Sequence, residues 1–360
     1  MIRRLHALFN KLKQQNIPAL LISRGTNIRY LTNYSGDEAY LLVLARGEAL
    51  FITDFRNLEQ AEKESHGLPL KFARCRVQTP PEQLVRDYCM RFGCEAVAVE
   101  KNFITYHNYQ KLVEKLADIP VIPTDDLICD LRQIKDENEI KALQQAASFA
   151  DQAFEQLLAK IAVGMTEREV AAELEYRMVQ LGAEEPSFKT IVASGKNGSQ
   201  CHARPSEKKL APGDFVTIDF GAKYQGYCSD CTRTIVLGSA TERQKEIYRL
   251  VLDTKNTVQK QARAGSFCKI LHLEAERLLK EAGYGPYFGH GLGHGIGLDV
   301  HEEPSLNQNS HAILKAGHAI TIEPGIYLPN WGGVRIEDSL VIDSKNATIL
   351  SKLPTELICI

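Results

Sequence analysis

Apolar positions recur along this chain with two periods, and the changes of period mark its elements. Leu5, Leu8, Phe9 and Leu12 share one face of a helix over residues 3–15. Apolar runs of strand length follow at Ala19–Ile22, Tyr40–Leu44 and Ala49–Thr53. The pattern then predicts a helix over 55–65, a strand at Ala96–Val99 and a helix over 105–117. This alternation gives an α/β domain over residues 1–127. It shows no cluster of chemistry-bearing side chains, so it is expected to shape or dimerise a site rather than carry a reaction. A break is expected at Pro120–Asp126. Beyond it Asp136 and Glu139 form a capping box for a helix over 137–162, and Thr166 and Glu169 form one for a helix ending near Leu181-Gly182. Thr241 with Gln244 opens a third helix, and Ala264-Gly265-Ser266 opens a fourth that closes at Ala282-Gly283. A strand-rich stretch follows each pair. The second domain, 133–360, therefore reads as helix, helix, strands, twice over. The expected fold class is α+β, with duplicated half-domains behind a smaller α/β domain.

The duplication is also visible residue by residue. His202, Pro205, Ser206, Leu210, Gly213, Thr217, Ile218, Asp219 and Gly221 recur in the same order as His301, Pro304, Ser305, Leu314, Gly317, Thr321, Ile322, Glu323 and Gly325. Each copy carries a histidine and an acid. A second acid follows in each: Asp230 after a hairpin through Lys223–Gly226, and Glu337 after a turn at Pro329–Gly333. Asp219 interrupts the apolar run Phe215–Phe220, and an unpaired buried charge costs several kcal/mol. Converging carboxylates repel unless a cation or shared protons lie between them. Four on paired strands point to a hard divalent metal site. His294 lies in Gly289–Gly297, where five of nine residues are glycine. That excludes a stable helix and allows a tight loop or irregular strand that brings backbone close to a ligand. A phosphate cradle is the other use of such a loop, and the four carboxylates favour metal.

Composition narrows the class. The chain has 360 residues, 44% of them apolar and 24% charged, as in a soluble globular protein. A net charge of -2 suggests no nucleic-acid or membrane-surface partner. The amphipathic start argues against a signal peptide or a membrane span. Nine scattered cysteines read as reduced thiols of a cytoplasmic protein. Cys228 and Cys231 read as small buried side chains despite their redox-like spacing. His6, His66, His107, His272 and His311 read as surface residues, and His318 as structural. Trp331 either walls a pocket or fills its turn.

The ordered set Asp219, Asp230, His294, Glu323 and Glu337 resembles the pita-bread metallopeptidases: Xaa-Pro dipeptidase (prolidase), aminopeptidase P and methionine aminopeptidase. The resemblance covers about 136–354. The preceding domain, for example Asn27–Gly36, resembles the amino-terminal domain of the proline-specific members, which methionine aminopeptidases lack. Asn57 departs from the aromatic residue often found there. The resemblance implies two divalent ions, manganese first, with cobalt or zinc as alternatives. It places Asp219 on one ion, Asp230 and Glu337 on both, and His294 and Glu323 on the second. It makes Glu323 a proton relay, His301 a donor to the oxyanion, and His202 a contact near the scissile bond. His290 then lines the pocket for the following residue, and Arg335 orients Glu337 or meets a substrate carboxylate. The expected reaction is hydrolysis of Xaa-Pro dipeptides by a metal-bridging hydroxide. It would act on small peptides in a cytoplasmic homodimer, without nucleic-acid or membrane partners. Aminopeptidase P action on Xaa-Pro-Yaa peptides is the alternative. A metal-free creatinase-like or binding protein is the remote one. The absence of long insertions favours the dipeptidase.

Overall fold

The first helix, Ile2–Gln14, buries Leu5, Leu8, Phe9 and Leu12, the stripe that its period marks. It belongs to the first of two units in the computed structural model, which divides into Met1–Arg132 and Gln133–Ile360 and describes residues 1–125 and 127–360. The first unit is a six-stranded sheet. Its order is Leu70–Arg74, Ala49–Thr53, Ala39–Leu44, Ala19–Ile22, Val97–Glu100 and Val121–Thr124. Its apolar runs are buried almost throughout because helices cover the sheet.

The helices Gly25–Thr32, Pro81–Phe92 and Cys129–Gln133 and the strand Leu70–Arg74 were not among the elements predicted. The expected break is itself part strand. Val121–Thr124 pairs in parallel with Val97–Glu100 at the sheet edge, where the missing N–H of Pro123 is tolerated. Asp126, also within that break, lies outside the described residues.

In the second unit all three predicted capping boxes are formed, at Asp136, Thr166 and Thr241. The first of these helices, Glu137–Leu158, stops short of the expected 162. The chain must turn through Gly164, at φ +92°, into Glu167–Leu181. Each helix pair packs on its own sheet. Phe154 stacks on Phe220, ring centres 5.1 Å apart, in the core of the first half. The Glu242–Gln261 and Cys268–Glu281 pair covers Ile320, Ile322 and Leu340 in the second.

The two sheets repeat one order. Ile191–Ser194, Phe215–Phe220 and Cys231–Val236 run antiparallel, as do Gly293–Gly295, Ala319–Ile322 and Asp338–Ile342. Asp219 stands near the end of its strand and Glu323 just past the matching one. Asp230 and Glu337 each immediately precede a return strand. The duplicated pattern thus becomes a duplicated placement of acids. The glycine run is an irregular strand with a register shift, and its backbone closely approaches its neighbours. A Cβ on Gly293 would lie 2.1 Å from the Thr321 carbonyl oxygen, and one on Gly295 2.3 Å from that of Glu303. Among the described residues no helix is long and apolar enough to cross a membrane.

Candidate active site

Where the two hairpins meet, the fold brings Asp230, His294 and Glu337 together, with one ligand atom from each within 4.8 Å of the others. Glu323 adjoins them, its Oε1 3.4 Å from His294 Nε2. Asp230 Oδ2 lies 3.7 Å from the same nitrogen. These separations are too long for good hydrogen bonds. His294 Nδ1 faces the Gly295 carbonyl oxygen at 3.0 Å. A carbonyl only accepts, so Nδ1 carries the proton and the Nε2 lone pair faces two carboxylates.

That arrangement is repulsive by itself. Burial pushes the Asp230 carboxyl well above its usual range, and Glu337, Asp219 and Glu323 push it further. Burial does the same to Glu337, with Glu323 and Asp219 adding to it. Glu323 is pushed up to about 8 by burial, against the pull of Arg335. His294 is lowered to about 4, by burial first and His301 second, so it is neutral. Asp219 Oδ1 is buried with no hydrogen-bond partner. A neutral imidazole lone pair, four carboxylates and an orphaned carboxylate oxygen fit divalent cations.

Arg335 is buried, and four of its five N–H groups are engaged inside the protein. Nη2 donates to Asp219 Oδ2 at 2.6 Å and Nε to Thr232 Oγ1 at 3.0 Å. Nη1 donates to the Cys201 carbonyl at 3.2 Å and to the Tyr327 hydroxyl at 2.9 Å. The Thr232 hydroxyl in turn donates a hydrogen bond to Glu337 Oε2 at 2.7 Å. Arg335 therefore braces Asp219 directly and Glu337 through Thr232. Burial disfavours its charge, yet Tyr327, Asp219 and Glu323 hold it protonated. Tyr327 accepts from Arg335 and donates to His290 Nε2 at 3.0 Å, while His290 Nδ1 faces the Gly291 carbonyl at 2.7 Å. Burial lowers His290 to about 4.

His301 packs against His294 with its ring tilted by 60°, ring centres 4.3 Å apart, and opens to solvent. Desolvation of its inner edge and nearby His202 lower its pKa. His202 is exposed, on the loop after Gly195–Ser199. The nine candidate residues are thus gathered in one region of the second unit.

Sequence reasoning missed Thr232, Tyr327 and Thr321, whose Oγ1 accepts from the His294 N–H at 3.2 Å. Thr321 stands in the duplicated pattern, so its signal was present. It also missed Glu167, buried at the start of its helix. Glu167 accepts from Ser194, Asn197 and Ser206, and so ties down both ends of the His202 loop. His272 is not a surface residue. It falls on the stripe Cys268, Leu271, His272, Ala275, Leu279 and packs on Phe288, ring centres 5.6 Å apart. His6, His66, His107 and His311 are exposed. His318 is buried, its Nδ1 accepting from the Lys315 N–H at 3.2 Å. Cys228 and Cys231 are buried free thiols. Trp331 fills its turn, edge-on to Phe215 at 5.8 Å.

The sequence pattern of metallopeptidase family M24 matches residues 141–344, which hold the whole cluster. The chain belongs to that family. The creatinase/prolidase N-terminal domain matches residues 4–134. A relative from Pyrococcus horikoshii, named Xaa-Pro dipeptidase, is 39% identical over 96% of this chain and 95% of its own. The structure of an Xaa-Pro dipeptidase from Bacillus anthracis superposes with TM-score 0.93 at 40% identity, covering 100% of this chain and 99% of that one. An X-Pro aminopeptidase from Thermotoga maritima superposes with TM-score 0.91 at 33% identity, covering 99% of each chain. The fold is the pita-bread fold expected above, the chain is a metallopeptidase, and membership of the family implies divalent metal ions.

Proposed function

We propose that this chain is an Xaa-Pro dipeptidase that uses two divalent ions, manganese first. The observation that carries the reading is the cluster of Asp230, His294 and Glu337, with Glu323 and Asp219 beside it, in a chain alike over its full length to named Xaa-Pro dipeptidases. Asp219 would serve one ion, His294 and Glu323 the other, and Asp230 and Glu337 would be shared by both. When bound, the ions supply Lewis acidity toward the scissile carbonyl and the attacking water. Glu323 takes the proton from that water and returns it to the leaving nitrogen. His301, at the open edge, donates to the developing oxyanion. His202 contacts the substrate near the scissile bond, and His290, oriented by Tyr327, lines the pocket for the proline ring. Arg335 is a positioning residue for Asp219. A proline nitrogen carries no hydrogen, and none of these groups needs one from the substrate.

The domain from about residue 133 carries the reaction, and the domain of residues 1–127 shapes or dimerises the site. The enzyme works as a cytoplasmic homodimer. Cobalt or zinc are the other ions the donor set would take.

Chelation should abolish hydrolysis and manganese restore it. In a matched peptide series, replacing proline by alanine should lower kcat/KM at least about tenfold, roughly 1.4 kcal/mol. Full activity in a rigorously metal-free preparation would refute the metal mechanism. Faster cleavage of Xaa-Pro-Yaa than of Xaa-Pro would move the protein to the aminopeptidase class, to which the Thermotoga maritima structure is assigned by name.

A further inference from the structure

The cysteines with displaced pKa values fall into two kinds. Burial pushes Cys228 up to about 12 and Cys268 up to about 11, and it also raises Cys231, Cys75 and Cys201. Such thiols are poor nucleophiles. Cys89 and Cys94 form a pair of a different character, and the backbone accounts for it. The helix Pro81–Phe92 ends at Gly93, which takes the left-handed conformation at φ +61°. The chain then folds back, and the Cys94 N–H donates to the Cys89 carbonyl at 2.9 Å. This six-residue wrap sets the side chain after the glycine against the one in the last helical turn.

The backbone bond that closes this wrap sets the Cys89 and Cys94 side chains next to each other. Cys89 is fully buried in the core of the first unit, whereas Cys94 is half-buried and reaches solvent. Arg46 anchors to the same helix end, donating to the Phe92 carbonyl at 3.3 Å, with its guanidinium 5.1 Å from the Phe92 ring centre. The neighbouring Cys89 thiol holds the Cys94 thiol below its usual range; burial opposes this and the Arg46 charge assists it. Cys89, with Cys94 beside it and the core around it, is held protonated. An outer sulfur inclined to thiolate, with an inner thiol in contact behind it, is the arrangement of an attacking and a resolving cysteine.

We infer that Cys89 and Cys94 form a thiol–disulfide exchange site in the first unit, reacting with a small disulfide of the glutathione type. The Cys94 thiolate attacks one sulfur of that disulfide. A sulfur–sulfur bond forms, the small disulfide's own bond breaks, and one small thiolate leaves and takes up a proton. Cys89 then gives its proton to solvent and attacks the Cys94 sulfur, and the second small thiolate leaves and is protonated. The protein dithiol is oxidised by two electrons and the small disulfide is reduced to two thiols. Excess small thiol reverses both steps. The site uses no residue of the metal cluster.

The test is to equilibrate the metal-loaded full-length protein in buffers of graded reduced and oxidised glutathione. Acid quenching, alkylation and peptide mapping by mass spectrometry then report each cysteine. The peptides carrying Cys89 and Cys94 should be linked, with the loss of two hydrogens, in oxidising buffer and separate again in reducing buffer. Cys228, Cys231 and Cys268 should stay alkylatable after denaturation throughout. The Cys89→Ser variant cannot resolve, so it should accumulate a glutathione adduct on Cys94, at least about tenfold over that on Cys75. The Cys94→Ser variant should form neither the link nor an adduct on Cys89. The proposal is overturned if the wild-type pair remains unlinked at the most oxidising ratio. It is overturned equally if Cys94→Ser takes the adduct on Cys89 as fully as Cys89→Ser does on Cys94.

Discussion

A metal-ligand carboxylate is only as well placed as the groups that hold its second oxygen. Here one Thr232 hydroxyl accepts from Arg335, which holds Asp219, and donates to Oε2 of the proposed ligand Glu337. Thr232→Val keeps the shape and removes both bonds. Arg335 Nε and Glu337 Oε2 are then left without that partner in a buried site, which costs roughly 1–3 kcal/mol of stability. The expected functional outcome is a 10- to 100-fold loss of manganese affinity, about the usual effect of removing a ligand's outer hydrogen bond. Thr232→Ser should restore it. Titration of metal-free protein with manganese, followed by calorimetry, reads this directly. Unchanged affinity in Thr232→Val would mean that Glu337 is held by its strand alone.

At the scale of elements, Glu167 anchors both ends of the loop that carries His202. That carboxylate accepts from the Ser194 N–H at 2.8 Å before the loop and from the Ser206 hydroxyl at 2.6 Å after it. Glu167→Ala should free the loop while leaving every proposed ligand in place. We expect unchanged metal content, a fall in kcat/KM on Xaa-Pro of about tenfold or more, and faster proteolytic nicking between residues 195 and 206. Equal nicking rates in variant and wild type would remove Glu167 from this role. The same region shows what a sequence can and cannot carry. The acids and histidines were legible because the duplication repeats them at matched positions, and the helix starts were legible because capping is local chemistry. Glu167 was not, since it looks like any first-turn acid and its partners lie 27 to 39 residues further on. His272 was misread because polarity was weighed above its place on the apolar stripe. Val121–Thr124 was hidden by Pro120 before it and Pro123 within it, and only pairing with Val97–Glu100 makes it a strand.

At the scale of the whole molecule, the second unit folds around charges that disfavour one another, and pH should expose this once metal is removed. Glu323 binds its proton more tightly folded than unfolded, with a pKa of about 8 against 4.5. The stability this gives is fully present below about pH 4.5 and is lost as pH rises through 8. Asp230 and Glu337 act in the same direction. His290 and His294 act oppositely. Their folded pKa values are near 4 against 6.5 unfolded, so their contribution is present above pH 6.5 and lost as pH falls toward 4. The metal-free protein should therefore be most stable on the mildly acidic side of neutrality. Its Tm should drop by about 5 °C or more between about pH 6 and 8, the order expected for one proton released on that limb. Saturating manganese, bound as proposed by the ionised carboxylates, would hold them in the charged form, so the loaded protein should lose this alkaline slope. Metal-free Glu323→Gln should lose much of it too, because an amide in that position does not titrate. Scanning calorimetry of the three preparations across this range distinguishes the cases. Parallel Tm curves for metal-free and loaded protein would show that the cluster is not where the pH dependence resides.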